Sequence, residues 1–238
     1  MSNVFPDRCP ACLRLQLHKQ PCEDCKSFIR KINGKTCKKC GFEKEYCECK
    51  KQGKAREYDG VIAAFYYEGT LRNTIHNLKF YLCYTAALYL KKHMALRFVE
   101  VSDPTYYDII TPIPDYSASK RLKGRSHTEY LAKSLSKILK IKYKKVLRKV
   151  VENSKQHRLA ERFRSGNVSG VYDVVSNVKG KRILLLDDVL TTGNTANECA
   201  KMLKARGAAQ VTVFTAAVTL PDKFTKFDIL EQEKVTEI

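Results

Sequence analysis

No run of about 18 consecutive apolar residues occurs in this chain, so no stretch reads as a membrane-spanning helix. A basic-then-apolar leader is also missing, and the expectation is a cytoplasmic protein without membrane insertion. Acidic residues are scarce: 25 Asp and Glu face 44 Lys and Arg, a formal net charge of +19, which points to a polyanionic partner. No internal repeat stands out beyond pairs of cysteines. The 238 residues suffice for one large domain or two smaller ones with a sizeable core.

Ten cysteines in a chain expected in a reducing compartment are poor candidates for disulfides, and their placement is more telling than their number. Eight fall in the first fifty residues as four close pairs: Cys9 with Cys12, Cys22 with Cys25, Cys37 with Cys40, and Cys47 with Cys49. A Cys-x-x-Cys turn puts two thiolates on one side of a metal, and two turns complete a tetrahedron. The pattern reads as two structural Cys₄ zinc sites. Short loops favour sequential pairing, although interleaved pairing fits the spacing too, and Cys47-x-Cys49 departs from the usual interval. Redox-active pairs or a disulfide scaffold are the competing readings, but nothing around them resembles a thioredoxin-like βαβ unit. So polar a segment buries little core, and metal should supply most of its folding energy. Cys83 and Cys199 are isolated and read as ordinary buried thiols.

Residues 1–56 hold 14 basic and 6 acidic side chains. Eight thiolates with two Zn²⁺ would bring that surplus down to about +4. Most of the positive charge therefore lies elsewhere. From Tyr116 to Gly166 there are 16 Lys or Arg and 3 Glu.

The most informative stretch runs from Gly180 to Val218. Ile183 to Leu186 is an apolar run typical of a parallel strand buried on both faces, and it ends in Asp187 and Asp188. Thr191-Thr192-Gly193-Asn194-Thr195 follows, a hydroxyl-rich turn whose glycine lets backbone approach a ligand. A helix from roughly Ala196 to Ala205 then stops at Gly207, and Gln210 to Val218 reads as the next strand. Free N–H groups and the positive end of the helix dipole suit a phosphate at this turn, beyond the C-terminal edge of a sheet. Two carboxylates beside a phosphate cradle make sense if the phosphate carries a sugar whose hydroxyls need strong acceptors.

Upstream, Gln52 to Arg56 reads as a basic linker and Tyr58 to Tyr67 as a strand. Leu71, Ile75, Leu78 and Lys79 mark an amphipathic helix carrying His76 as a surface or packing residue, and Ala86 to Leu96 marks another. Tyr107 to Ile113 is a strand running into Thr111-Pro112-Ile113-Pro114-Asp115, whose prolines fix a rigid turn. Lys120-Arg121-Leu122-Lys123-Gly124-Arg125 could fold over a polyanion, or be a solvated charge run. Ser126 with Glu129 forms a capping box for a helix whose buried face is Tyr130, Leu131, Leu135, Ile138 and Leu139. A short strand is expected at Lys144 to Leu147. The tail from Lys223 is uninformative.

Asp187 through Thr195 resembles the phosphoribosyl pyrophosphate (PRPP) loop of type I phosphoribosyltransferases. Paired acids also end the first strand of receiver domains, but there the motif opens the domain, whereas here it lies late in the chain. The wider layout resembles the ComF proteins of bacterial DNA uptake: the cysteine pairs, Tyr67-Glu68-Gly69 through Leu78-Lys79-Phe80, the Thr111 to Asp115 strand end, Gln156 to Asn167 and the acidic loop. One departure is local. Where that branch shows Arg-Gly-Phe-Asn-Gln, this chain has Lys123-Gly124-Arg125-Ser126-His127.

The resemblance implies a fold of α/β class, a parallel sheet flanked by helices and preceded by a small zinc-binding domain. It implies a Cys-rich domain over 1–56, a phosphoribosyltransferase-like domain over 57–220 and a tail over 221–238. It also implies that Asp187 and Asp188 hold ribose hydroxyls, that Thr191, Thr192, Gly193, Asn194 and Thr195 hold the 5′-phosphate, and that Mg²⁺ accompanies PRPP. Pro112 and Ile113 belong to the loop that meets pyrophosphate, and Lys120 and Arg121 complete the PRPP-binding set.

Purine-salvage members of the superfamily carry an acidic base where this chain has Thr191. A hydroxyl is a poor general base at neutral pH, which argues against a 6-oxopurine acceptor. Two functional expectations follow. In one, the chain binds PRPP or a similar sugar phosphate and touches single-stranded DNA through Lys123, Arg125, Arg158, Arg162 and Arg164, with Lys120 and Arg121, serving DNA uptake alongside other uptake or processing proteins. Tyr116, Tyr130, Tyr143 and Phe163 lie among these cations, where bases could stack, although each reads more readily as a core residue. Lys38, Lys39, Lys50 and Lys51 extend the basic surface into the zinc region. In the other, it is a phosphoribosyltransferase acting on an unidentified nitrogen acceptor.

Overall fold

Four parallel strands form the centre of the chain, in the spatial order Gly60–Tyr66, Gln210–Val218, Arg182–Leu190, Ile109–Pro112. They are β3 (Gly60–Tyr66), β4 (Ile109–Pro112), β7 (Arg182–Leu190) and β8 (Gln210–Val218). The computed structural model describes residues 7–49, 56–114, 126–150, 171–221 and 224. Smaller elements precede and flank the sheet: the two-residue strands β1 (Asp7–Arg8) and β2 (Leu15–Gln16), the single-turn helix α1 (Glu23–Lys26), and the antiparallel pair β5 (Leu147–Lys149) and β6 (Tyr172–Val174).

Helices cover both faces, as a buried parallel sheet requires. α2 (Thr70–Tyr81), α3 (Tyr84–Val101) and α4 (His127–Leu139) lie on one side, where Leu184, Leu186 and Phe214 join Leu78, Leu90, Phe98 and Leu131 in one core cluster. α5 (Asn194–Ala205) lies on the other, where Ile183, Leu185, Val211 and Val213 pack with Ala196, Cys199 and Leu203. Alternation along β7 and β8 thus feeds two cores, each fully buried Leu or Phe contributing about 1.5–3 kcal/mol.

Neither outer strand leaves its backbone edge bare. On β3, the N–H of Ile32 donates to Ala64 O at 2.9 Å, and the N–H groups of Val61 and Tyr66 donate to Lys38 O and Arg30 O at 2.8 and 3.1 Å. The cysteine-rich segment therefore works as an edge cover. On β4, Ile110 exchanges hydrogen bonds with Lys142 and Lys144.

Side chains lock the cysteine-rich segment to the sheet. The Arg30 guanidinium lies between the rings of Tyr46 and Tyr66, 4.6 and 4.5 Å from their centroids, and pairs with the buried Glu68 at 3.1 Å. Gly69 (φ +51°) is placed so that a Cβ would run into the Phe28 carbonyl. Only glycine takes both that dihedral and that approach.

Several boundaries differ from the sequence expectation. β7 does not stop at Leu186 but continues through both acids to Leu190, because Asp187, Val189 and Leu190 still pair with β8. α5 starts at Asn194 rather than Ala196. On α4, Ser126 does cap the helix by accepting from the Glu129 N–H at 3.2 Å, but Tyr130 and Ile138 are 40% and 49% exposed rather than buried. His127, Thr128 and Ala132 take the buried positions instead, since α4 meets both β4 and α3 and its inner face is rotated towards them. The short strand after α4 is Leu147–Lys149, slightly later than Lys144 to Leu147. Cys199 is buried as expected, whereas Cys83 is only partly so and precedes α3. His76 packs on Phe80, with ring centroids 4.4 Å apart.

Candidate functional site

At the C-terminal ends of the central strands, β7 delivers Asp187 and Asp188 and then turns into Thr191-Thr192-Gly193, which opens α5. Gly193 adopts φ +77°, the left-handed conformation that favours glycine. A Cβ there would lie 3.0 Å from the Tyr58 hydroxyl and 3.1 Å from an Arg56 guanidinium nitrogen, so the turn is backed closely by both side chains. Arg56 and Tyr58 also hydrogen-bond each other, and Asn197 in the first turn of α5 accepts from the Glu57 N–H at 2.7 Å. Thr191, Thr192, Asn194 and Thr195 are exposed. Their hydroxyl and amide groups, with the first N–H groups of a 12-residue helix, form an accessible anion cradle.

Because β7 continues through the acids, its two-residue alternation sends the carboxylates to opposite sides. Asp188 faces the helices of the first core: His127 Nε2 hydrogen-bonds its Oδ2 at 2.8 Å, and Lys79 Nζ lies 3.7 Å from the same oxygen. Its Oδ1 accepts from the Val189 N–H at 2.7 Å. Burial works against ionisation of Asp188, but the His127 hydrogen bond and charge, then Lys79, outweigh it and hold this carboxyl below its ordinary range. Asp187 lies on the α5 side. Burial and then the neighbouring Asp188 charge push its carboxyl well above the ordinary range. Together with burial, Asp187 raises the Cys199 thiol. The couple is therefore asymmetric: Asp188 is already partnered by His127 and Lys79, while burial and its neighbour hold the Asp187 carboxyl high.

Of the expected site residues, the structure brings the acids, the threonine turn and the end of β4 to one edge of the sheet. Pro112 and Ile113 are buried, and the Ile113 N–H is used by Leu186 O at 2.8 Å. Lys120, Arg121, Lys123, Arg125, Arg158, Arg162 and Arg164 lie outside the described residues, as do Tyr116, Phe163, Lys50 and Lys51. Lys38 and Lys39 are exposed. Tyr143 is only partly buried and packs against the first core. Sequence reasoning did not assign Lys79, His127, Arg56 or Tyr58 to this site. A trace was present, because His127 stands where the resembling branch has an amide and Lys79 falls in the Leu78-Lys79-Phe80 match.

The cysteines gather as two sequential groups, Cys9, Cys12, Cys22 and Cys25, and Cys37, Cys40, Cys47 and Cys49, with all sulfurs of a group within 4.8 Å of one another. Cys12 and Cys22 sulfurs are 3.8 Å apart, and Cys37 and Cys49 sulfurs 3.9 Å. A tetrahedral ion with bonds of about 2.3 Å to sulfur requires about 3.8 Å between ligands. All ten cysteines are free thiols, so the spacing fits a metal and not a disulfide scaffold. Burial opposes ionisation of Cys9 and Cys37. Turn N–H groups from Cys22, Cys12 and Ala11 bring Cys9 down to about 7, and those of Cys40 and Lys39, with the Cys47 side chain, bring Cys37 down to about 7. Both groups could hold zinc. The second also lines a hollow shared with the threonine turn: Cys40, Glu48 and Cys49 on one wall, Thr191 to Asn194 on the other.

The phosphoribosyl transferase domain model matches residues 127–229. With the parallel sheet and its flanking helices, this defines a type I phosphoribosyltransferase fold, carrying an N-terminal Cys-rich segment suited to zinc. Within that class the chain is similar to competence proteins of the ComF kind. It is 28% identical over 235 residues to Competence protein F of Haemophilus influenzae, covering 91% of this chain and 99% of that one. It is 25% identical over 211 residues to Competence protein ComFC of Bacillus subtilis, covering 84% and 85%. DNA utilization protein YhgH of Escherichia coli K12 is 28% identical over 158 residues, covering 65% and 70%.

Proposed function

We propose that this chain binds PRPP or a related sugar phosphate with Mg²⁺, and single-stranded DNA, and acts in DNA uptake and natural transformation in the cytoplasm. The observation carrying the ligand is the union of an acid couple and an exposed threonine turn, Asp187 to Thr195, at the mouth of a parallel sheet. In this reading the turn and the α5 N-terminus take the 5′-phosphate, and Asp187 and Asp188 accept from ribose hydroxyls. Lys79 and His127 then share Asp188 with the sugar or swing to the pyrophosphate. The net charge of +19 and the names of the competence relatives support the DNA partner. In this reading the chain divides into a double zinc-ribbon-like unit over 1–56, a phosphoribosyltransferase-like unit over 57–220 and a tail over 221–238, each cysteine group holding one zinc ion.

Calorimetry with PRPP and Mg²⁺ tests the ligand: the parent binds and Asp187→Ala/Asp188→Ala does not, whereas equal affinity in both would end the ribose role. A single-stranded DNA titration across salt concentrations should give a slope of several ions. A flat response refutes the DNA role. Metal analysis should return about two zinc per chain.

A second reading is favoured by one contact. The 2.8 Å bond between His127 and Asp188 holds an imidazole beside the ribose position of this reading, and proton transfer from an incoming nitrogen acceptor needs such a group. In this reading the chain transfers phosphoribose. Pyrophosphate release from PRPP in the presence of a panel of bases and amines would distinguish it, with His127→Gln abolishing turnover but retaining PRPP affinity.

A further inference from the structure

Away from the acid couple, α3 presents apolar side chains on a second face. Its inner face buries Leu90, Met94 and Phe98, as a core helix should. The outer face nevertheless carries Leu96 and Val99 at 54% and 56% exposure, and Ile138 of α4 stands beside them at 49%. With Leu88 they line a groove of about 1030 Å³ between α3, the C-terminal end of α4 and the loop linking the first two cysteine pairs. Contiguous exposed apolar surface of this kind marks a binding site more often than an accident of composition.

The rim decides what the groove accepts. Lys19, Lys91, Lys92 and Lys140 are among its lining residues, and none of the described residues that line it is acidic. From Leu88 to Val99 the floor extends about 17 Å along α3, the length of three helical turns. A groove of that length, in which Lys91 and Lys92 share the helix face of Leu88, Ala95, Leu96 and Val99, matches an amphipathic helix that sets Leu or Ile against the apolar positions and carboxylates against the lysines. A flat bilayer would meet lysines before reaching a concave floor. Stacked bases would find mainly aliphatic side chains, since Tyr107, the aromatic residue in the lining, is only 8% exposed.

We propose that this groove docks an acidic amphipathic helix of a partner protein, independently of the sugar phosphate reading. The lysines steer and orient the helix, and Leu96, Val99 and Ile138 take its apolar ridge.

The test uses the full chain with zinc and a fluorescein-labelled 18-residue helical peptide, Leu on one face and Glu on the other, read by fluorescence polarisation. Saturable binding is expected, weakened at least tenfold by Leu96→Asp, by Val99→Asp and by Lys91→Glu/Lys92→Glu. The same peptide with Lys in place of Glu should bind at least tenfold more weakly. Both apolar positions are exposed, and an unchanged thermal transition and zinc content would confirm that the variants fold. The proposal fails if the acidic peptide does not saturate, if the basic peptide binds equally, or if the variants bind like the parent. It also fails if anionic vesicles or a single-stranded oligonucleotide, and not the peptide, show the dependence on Leu96 and Lys91.

Discussion

The side-chain amide of Asn77 donates to the carbonyl of Ala11 at 2.7 Å, and to that of Pro10 at 3.0 Å, both inside the first Cys-x-x-Cys turn. Asn77 is buried and lies on α2, two residues before the Lys79 that reaches Asp188. Thr70, at the start of the same helix, bonds the Cys25 carbonyl. The first cysteine group is therefore fastened to α2 near both ends, and α2 carries one wall of the candidate ligand site.

Replacing Asn77 by Ala would leave two carbonyls of the cysteine turn without their donor. The expected cost is about 1–3 kcal/mol, measurable by denaturant unfolding of the zinc-loaded chain. Asn77→Asp should cost more, because a carboxylate would face the same carbonyl oxygens. An unchanged midpoint in both variants would show that the tether contributes nothing.

Stripping the metal should be felt on β3. The amides of Val61 and Tyr66 donate to Lys38 and Arg30, in and beside the cysteine-rich turns, so chelation should accelerate their hydrogen exchange. Ile183 and Val213, in the middle of the sheet, should stay protected. Equal protection at Val61 with and without metal would contradict the edge-cover role.

Asp187 should trade stability against ligand binding. Burial and Asp188 raise its carboxyl in the folded state, so the unfolded chain releases this proton at lower pH than the folded one. Its contribution to stability is present at acidic pH and lost as pH rises from the ordinary carboxylate range to the raised folded value. Asp187→Asn keeps an acceptor for the Asp188 N–H and removes the buried charge. At mildly alkaline pH it should gain about 1–2 kcal/mol, roughly 2–8 °C in Tm, while losing PRPP affinity. The gain should vanish at pH 4.

His93 should set the acid limb. Burial between Phe65 and Tyr89, then the charges of Lys31 and Lys92, lower its imidazole to about 4. The unfolded chain protonates first, near the ordinary value of about 6.5, so stability falls as pH drops from there towards 4. His93→Phe fills a similar space without a proton site and should flatten this part of the profile. A variant with the parent's slope between pH 6.5 and 4 would assign that slope elsewhere.

The parts of this fold that could be read from sequence are those whose signal is local. Ile183 to Leu186, the threonine turn and the sequential cysteine pairs each declare themselves within a few residues, and the Ser126 cap is a local hydrogen bond. The extension of β7 through Asp187 and Asp188 was not legible, because charged residues read as a strand end unless the pairing with Thr215 and Ala217 on β8 is known. The meeting of Lys79, His127 and Asp188 joins three elements across a core, and no periodicity encodes which helix faces which strand. Tyr130 and Ile138 show the same limit: helical spacing gives a face, and the packing partner decides whether it is covered.

The arrangement at β3 bears on how the chain avoids pairing with other chains. Gly60–Tyr66 reads GVIAAFY, uncharged and free of proline, and the turns around the cysteines are what keep its outer backbone from recruiting another chain. Synthesis under zinc starvation would therefore yield aggregates seeded by this strand, and solubility during expression would track metal supply more closely than PRPP supply.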